Sequence, residues 1–345
     1  MRKIVVDRAG GWERLVLETH PDPSPGPGEV SIAVHAAGVN FADVAVRMGL
    51  YSSAKKYQGW PITPGFEVSG TVASCGAGVA NLAPGDQVIA VTRFGGYATH
   101  AVVPAHQVWA RPENLDWNAA AAFLAVTLTA DFALSELAHP HPGDTLLVHS
   151  AAGGVGSQLV QLGKRAGCRV VGVVGASHKV DAVLALGADA VIDKSRQDLW
   201  REAARLAPEG YDVVLDANGV ETLRRSYAHL RSPGKLVVYG FATMLPRGRG
   251  RPSYAKLAID WLSTPRFDPL DLTTRNRSVL AFNLSYLFER RELLETAMAR
   301  LLPLVESGAL RVPSVTSYPL ERVADAHRAI ESGRTVGKLV LTMPE

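Results

Sequence analysis

Apolar residues follow two different rhythms along the chain, and the change falls near residue 122. Before it, short runs rich in valine and isoleucine alternate with glycine and proline, as in Val30–Val34, Val68–Val72 and Gln87–Val91. Short strands separated by turns are typical of a small β-barrel. After it, strand-like runs alternate with stretches of helical spacing, which predicts parallel strands joined by crossover helices.

The second half contains six predicted strands, namely residues 145–148, 169–174, 190–192, 211–216, 235–239 and 278–283. Residues 157–166 and 179–186 have helical spacing and lie between them, so we predict a doubly wound, parallel Rossmann sheet. Beyond residue 288, two helices (291–307 and 320–332) and a strand (338–342) are expected to pack back onto the barrel. The predicted domains are therefore residues 1–121 with 288–345, and residues 122–287.

Composition places few limits on function. The chain of 345 residues has a net charge of +3, which gives no argument for binding nucleic acid. Its longest apolar stretch, Ala119–Ala130, is shorter than the roughly 20 residues of a membrane span. Cys75 and Cys168 are too few for a disulfide framework. We therefore expect a cytoplasmic protein with reduced thiols and no membrane span.

The segment HSAAGGVG, residues 149–156, follows the first Rossmann strand and opens a helix. Free N–H groups at a helix N-terminus bind a pyrophosphate where no side chain blocks its approach. Gly153, Gly154 and Gly156 supply that clearance, and Ala152 and Val155 complete the candidate cradle. The alternative is a purely structural turn, because a lone glycine-rich motif is weak evidence.

The end of the second Rossmann strand bears on which dinucleotide is bound. NAD sites usually place a carboxylate there, whereas here Gly175 leads into Ser177 and Lys179. Hydroxyl and ammonium donors suit a 2′-phosphate, and Lys194 after the third strand lies at the neighbouring edge. We predict NADPH as the cofactor. The alternative is that Lys179 and Lys194 are ordinary solvated lysines.

Short motifs spread over the whole length support a family resemblance. They are residues 37–43, 48–51, 63–67, 84–86, 96–98, 127–130, 151–156, 187–188 and 337–340. In these the chain resembles the medium-chain dehydrogenase/reductase superfamily, in its zinc-independent quinone oxidoreductase branch. Residues 261–270 and 277–284 are similar to the vesicle amine transport protein-like subgroup. The resemblance implies a GroES-like β-barrel domain, a Rossmann domain and a cleft between them.

Zinc members of this superfamily carry a cysteine in the segment matching Gly38–Asn40 and a histidine before the glutamate of a later motif. Here the first segment has no cysteine and the histidine position holds Phe66, which cannot ligate a metal. Glu67 remains, and we expect it to be a buried, hydrogen-bonded structural residue. We predict no metal.

Without a Lewis acid, hydride transfer to a quinone or to the C=C bond of an enone is less demanding than alcohol oxidation. The developing enolate needs hydrogen-bond donors and a proton. Tyr51 is the candidate acid, Asn40 a candidate donor to the nicotinamide or substrate, and Asp43 a residue that orients them. The alternatives are that Asn40 only holds its loop, Asp43 only begins a helix, and Tyr51 is a wall of the pocket.

Further cofactor contacts follow from the resemblance: Thr127, Gly240, Phe241, Asn283 and Lys338. Phe241, Met244 and Trp261 are expected to line an apolar pocket, built chiefly by loops 47–61 and 241–277. The basic loop Arg247–Arg251 is interpreted as solvated, with attraction of an acidic carrier-linked substrate as the alternative. Strand 278–283 would be the edge of the sheet, where pairing with a second copy predicts a homodimer.

Three functions compete at this point. The first is an NADPH-dependent reductase of small apolar quinones, enones or enoyl thioesters. The second is a nucleotide-binding protein with a scaffolding, RNA-binding or crystallin-like role and little turnover, because fold alone does not determine function. The third, an ordinary alcohol dehydrogenase, is disfavoured by the missing zinc ligands.

Overall fold

The computed structural model describes residues 1–245 and 250–344. Its strands are β1 (Arg2–Val5), β2 (Val16–Thr19), β3 (Glu29–Val39), β4 (Glu67–Cys75), β5 (Gln87–Val91), β6 (His100–Pro104), β7 (Val108–Ala110), β8 (Thr145–Val148), β9 (Arg169–Val174), β10 (Ala190–Asp193), β11 (Tyr211–Asp216), β12 (Leu230–Val238), β13 (Arg277–Ala281), β14 (Val315–Pro319) and β15 (Lys338–Thr342). Its α-helices are α1 (Phe41–Arg47), α2 (Ser52–Tyr57), α3 (Trp117–Ala121), α4 (Leu124–Asp131), α5 (Gly154–Arg165), α6 (Val180–Leu184), α7 (Leu199–Leu206), α8 (Val220–Ala228), α9 (Tyr254–Ser263), α10 (Pro269–Arg275), α11 (Arg291–Glu306) and α12 (Val323–Glu331).

The chain folds into two units. Unit 1 comprises Met1–Leu128, Arg247–Pro252 and Leu284–Glu345, and unit 2 comprises Thr129–Pro246 and Ser253–Asn283. The expected division after residue 121 falls after Leu128 in the structure, inside the continuous helix α4. Residues 247–249 of the predicted basic loop lie outside the described residues.

Unit 1 contains a seven-stranded sheet in the order β14-β15-β3-β4-β5-β7, with β6 paired to β3. The long strand β3 pairs antiparallel with β4, β6 and β15, so the C-terminal strand closes onto the N-terminal ones. Ile32, Val72 and Leu341 belong to the apolar core. The match of short valine-rich runs to strands explains why the first half of the sequence predicts this architecture.

Unit 2 contains a parallel six-stranded sheet in the order β10-β9-β8-β11-β12-β13. This confirms the predicted α/β fold. The central strands are buried on both faces: in β11 every residue is buried, as are Leu146, Leu147 and Val148 of β8. Strands of that kind appear in sequence as continuous apolar runs.

Several elements differ from the sequence prediction. The predicted helix 179–186 is a 3₁₀ turn at Ser177–Lys179 followed by the short helix α6. The last Rossmann strand is β13, two residues shorter at its end than predicted. Strand β12 begins at Leu230, before the predicted start at residue 235. The prediction missed these residues because the Pro233-Gly234 pair within the strand resembles a turn in sequence. Loop 241–277 contains the helices α9 and α10.

None of the helices in the described part of the chain combines the length and apolarity that crossing a bilayer requires.

Candidate active site

The glycine turn of unit 2 joins β8 to α5. Gly153 is the extended N-cap of α5 and contributes no side-chain cap. A Cβ on Gly156 would lie 2.3 Å from the Ser150 carbonyl oxygen and 2.7 Å from the Ala151 Cα, so only glycine allows this helix to approach the turn. A Cβ on Gly153 would meet only the Ser150 oxygen, at 3.3 Å. The start of α5 is therefore bare, which fits a pyrophosphate.

A buried polar cluster connects β8 to β11. His149 is fully buried, with Nε2 3.1 Å from Ser226 Oγ, and Ser226 donates to Asp216 Oδ2 at 2.8 Å. Asp216 Oδ1 also accepts from the backbone N–H groups of Asn218 and Gly219. Burial lowers the pKa of His149, which favours the neutral imidazole. Sequence reasoning missed this cluster, although polar residues at the ends of two apolar strands were its visible signal.

Two lysines lie together beyond β9 and β10. Lys179 is only 8% exposed. Burial is the main cause that lowers the pKa of its ammonium group, and repulsion from Lys194 lowers that pKa further. A Cβ on Gly175 would lie 3.7 Å from Lys194 Cε, so this strand end also passes close to the second cation. Adjacent cations of this kind suit a phosphate group.

A carboxylate also lies at this edge. Ser177 Oγ donates to Asp193 Oδ2 at 2.6 Å, and this bond, with others from Ser195, lowers the pKa of Asp193. The sequence correctly shows no acidic residue at the tip of β9, yet the last residue of β10 brings one to Ser177. The signal in the sequence is the Asp193-Lys194 pair, whose aspartate ends β10.

The ends of β11 and β12 also approach each other closely. A Cβ on Gly240 would lie 2.8 Å from the Ala217 oxygen, and one on Gly219 would lie 2.7 Å from Phe241 Cδ1. Phe241 is 46% exposed and Trp261, on α9, is 66% exposed. Asn283 follows β13 and is half-buried.

In unit 1 a buried ion pair holds Asn40. Lys338 Nζ lies 2.6 Å from Glu67 Oε1 and donates to Asn40 Oδ1 at 2.5 Å. Asn40 Nδ2 donates to the same Glu67 oxygen at 3.0 Å, and Glu67 Oε2 accepts from the Ala125 N–H at 2.9 Å. Both ends of the Asn40 amide are therefore fixed, and one N–H of its amide nitrogen has no role in these bonds. Glu67 is buried and hydrogen-bonded, as expected.

The Asp43 carboxylate accepts hydrogen bonds from two backbone N–H groups at the start of α1 and beside it. Its Oδ2 accepts from the Asn40 N–H at 2.7 Å, and its Oδ1 accepts from the Gly65 N–H at 2.8 Å. Burial raises the pKa of Asp43 to about 7, although these two N–H donors and the Tyr97 hydroxyl oppose the shift. These contacts favour the alternative in which Asp43 fixes the start of α1.

Tyr51 precedes α2 and lies against an aromatic group. Its ring meets Phe66 edge-on at 5.5 Å, and Phe66 meets Phe94 at 5.4 Å. The Tyr51 hydroxyl donates to Ser285 Oγ at 3.4 Å, and Ser285 donates to Ser53 Oγ at 2.9 Å. The structure thus brings Asn40 and Lys338 together, and it places Tyr51 in a separate hydroxyl chain.

Thr127 is fully buried in unit 1. Its hydroxyl has no hydrogen-bond partner among the described residues. A buried hydroxyl without a partner is costly, so we expect a ligand or a water molecule to satisfy the Thr127 hydroxyl.

Two family models match parts of this chain. The family model for the alcohol dehydrogenase GroES-like domain matches residues 26–113, and the model for zinc-binding dehydrogenases matches residues 186–341. The synaptic vesicle membrane protein VAT-1 homolog of Homo sapiens is 35% identical over 349 aligned positions, which cover 99% of this chain and 86% of that protein.

Two solved structures share the whole fold. The Escherichia coli quinone oxidoreductase, complexed with NADPH, has a TM-score of 0.86 and 27% identity, over 99% of this chain and 100% of that one. The CurK enoyl reductase has a TM-score of 0.84 and 26% identity, over 99% of each chain.

Zinc, named in one matching family model, does not fit the residues of unit 1. Phe66 offers no ligand atom, and Glu67 is bound to Lys338, whose positive charge would oppose a divalent cation there. Among the residues that the structure describes, no three His, Cys, Asp or Glu side chains are grouped so that they could hold a metal.

Proposed function

The chain belongs to the medium-chain dehydrogenase/reductase superfamily, in the subgroup of the VAT-1 homologues, and on this premise we propose that it is an NADPH-dependent, zinc-independent reductase of quinones or of the C=C bond of α,β-unsaturated carbonyls. The relatives with known activities are oxidoreductases, and the chain is an oxidoreductase of this superfamily.

The observation that carries the proposal is the bare start of α5 together with the Lys179–Lys194 pair in the same unit. A pyrophosphate needs open backbone amides, and a 2′-phosphate needs cations. A ribose 2′-hydroxyl would instead favour a free carboxylate, whereas Asp193, the carboxylate described at this edge, accepts a hydrogen bond from Ser177. These features favour NADPH over NADH.

When bound, NADPH supplies a hydride. We assign the pyrophosphate to Ala152–Gly156, and the 2′-phosphate to Ser177, Lys179 and Lys194 with Gly175 leaving room. The nicotinamide half falls to the remaining predicted contacts, Asn40, Thr127, Gly240, Phe241, Asn283 and Lys338. The unpartnered Thr127 hydroxyl supports this assignment, because a ligand would satisfy it.

On the substrate side, hydride addition to the β-carbon of an enone breaks the C=C bond and leaves negative charge on the carbonyl oxygen. Tyr51 supplies the proton that completes the reduction, and the remaining N–H of Asn40 faces the developing charge. Lys338 fixes the orientation of the Asn40 amide, because Lys338 donates to the amide oxygen and leaves the amide nitrogen available as a donor.

The test is an NADPH-oxidation assay with short enones, quinones and enoyl thioesters, in the presence of a metal chelator. We expect turnover with at least one class, and a tenfold or greater loss of kcat in Tyr51→Phe with NADPH affinity retained. Turnover that depends on added zinc and an alcohol would overturn the proposal. NADPH binding without oxidation by any acceptor would favour the scaffolding role.

We also propose that two copies associate through β13. This strand is the edge of the described sheet, with β12 on one side. In the same unit, α9 buries none of its residues, and its exposed Tyr254, Ile259 and Trp261 carry no charge. An antiparallel β13 pair about a two-fold axis would satisfy the strand's free backbone groups, and a second copy would cover apolar surface.

Sedimentation measurements test this assembly. Leu262→Glu on α9, 75% exposed, is expected to weaken the dimer, whereas Leu184→Glu on α6, 44% exposed, serves as a control that leaves it intact. A monomeric parent chain at micromolar concentration would contradict the assembly.

We propose a small apolar molecule as the substrate. The reduced thiols of Cys75 and Cys168 are consistent with a cytoplasmic location.

A further inference from the structure

A hydroxyl chain in unit 1 extends from Tyr51 into buried structure. Tyr51 donates to Ser285 Oγ at 3.4 Å, and Ser285 donates to Ser53 Oγ at 2.9 Å. Ser53 is fully buried and Ser285 is 2% exposed, so bulk water does not compete for these bonds. A buried hydroxyl chain is polarised along its length, which strengthens each hydrogen bond in it.

Two separate elements of unit 1 hold the three hydroxyl groups in place. Tyr51 and Ser53 lie on the two sides of the first residue of α2, so one helix end sets their spacing. Ser285 comes from a distant 3₁₀ turn, Leu284–Tyr286. Arg93 anchors that turn, because its Nε donates to the Ser285 carbonyl oxygen at 3.2 Å and its Nη2 forms an ion pair with Glu289 at 2.9 Å.

Hydroxyl groups can reverse their role. Each serine oxygen both donates and accepts, and its hydrogen rotates to suit its neighbours. When Tyr51 gives its proton to a substrate oxyanion, a phenolate remains. Ser53 can then donate to Ser285 and Ser285 to the phenolate, while a proton from solvent restores the phenol after the product leaves. No additional reactant is required.

We propose that Ser285 and Ser53 are positioning residues that orient the Tyr51 hydroxyl and stabilise its phenolate during reduction. This rests on the proposed function, in which Tyr51 is the acid. Neither serine touches the substrate; Ser285 acts directly on Tyr51, and Ser53 acts through Ser285. The hydroxyl chain also holds the Tyr51 ring against Phe66. This contact limits the directions in which the Tyr51 hydroxyl can donate its proton.

The experiment compares Ser285→Ala, Ser285→Thr and Ser53→Ala with the parent chain, and uses Ser52→Ala, an exposed neighbour, as control. Removing a donor to an anion should lower kcat for an enone about tenfold in Ser285→Ala, and less in Ser53→Ala. KM and NADPH affinity should change less than about twofold, and Ser285→Thr should recover most of the turnover because it keeps a hydroxyl. In a Tyr51→Phe background, Ser285→Ala should have no further effect.

A second measurement does not depend on turnover. Ultraviolet difference titration of the parent chain against Tyr51→Phe isolates the ionisation of this phenol, and Ser285→Ala should move it to higher pH. If the parent chain oxidises no NADPH, the proposed function fails and this titration alone decides the hydroxyl chain. An unchanged titration, or an equal kcat loss with and without the Tyr51 hydroxyl, would overturn the inference.

Discussion

Substituting Gly156 by alanine tests the cradle at the start of α5. The added Cβ would lie 2.3 Å from the Ser150 carbonyl oxygen and 2.7 Å from the Ala151 Cα, both backbone atoms that cannot rotate away. Ordinary contacts begin near 3.5 Å, so α5 must move by about 1 Å relative to the turn. Overpacking of this kind costs about 1–3 kcal/mol, which outweighs the roughly 1 kcal/mol that alanine gains over glycine in helix propensity.

The displaced helix start should also bind phosphate oxygens less well. Losing one or two charge-assisted hydrogen bonds corresponds to a 10- to 100-fold weaker Kd for NADPH. Fluorescence titration gives the Kd, and urea unfolding gives the stability. Gly153→Ala is the matched comparison: its Cβ meets only one oxygen, at 3.3 Å, so it should lose affinity while stability changes by less than about 1 kcal/mol. A Gly156→Ala chain that binds NADPH as tightly as the parent would show that the clearance at Gly156 is not required for binding the cofactor.

Further substitutions test three individual interactions. Lys179→Ala and Lys194→Ala should each weaken NADPH about tenfold and NADH hardly at all, measured by parallel titrations; equal losses for both cofactors would show that these lysines do not bind the 2′-phosphate. Lys338→Met leaves the buried Glu67 unpaired and should lower the unfolding free energy by about 3–5 kcal/mol, and adding Glu67→Gln should recover part of it; strictly additive losses in urea unfolding would contradict the ion pair. Asp43 keeps its proton in the fold up to a pKa of about 7, against about 3.9 when unfolded, so its contribution is present at low pH and lost as the pH rises through 7. The stability advantage of the parent over Asp43→Asn should therefore shrink between about pH 4 and about pH 7 and stay level above that, and an advantage that stays constant across this range would be evidence against the shift.

The fold could be predicted from the sequence where its strands are buried on both faces. β8 and β9 appear as apolar runs, β11 contains the apolar run 213–215 between two aspartates, and β15 at the end of unit 1 is equally clear. Prediction was weaker at β12, where Pro233 and Gly234 resemble a turn, and at α9, which lies in the stretch 241–277 that was expected to be a loop.

The glycine turn could be located because a local backbone requirement leaves a local signal. The ion pair between Lys338 and Glu67 leaves none, because the two residues are 271 positions apart and meet only through the pairing of β15 with β3 and of β3 with β4. The contact of Tyr51 with Ser285 spans 234 positions and is equally invisible. Single polar residues within such distant segments acquire a role only when the sheet brings them together.

An isotope-labelling experiment tests directly whether hydride goes from NADPH to a C=C bond without a metal. NADPH carrying deuterium at the transferable position of its nicotinamide is incubated with the protein, a short enone and a metal chelator, and the product is analysed by NMR. The proposed mechanism predicts deuterium at the β-carbon of a saturated ketone, which should form at an undiminished rate with chelator present. Deuterium on the carbonyl carbon of an alcohol, or a reaction abolished by the chelator, would contradict it.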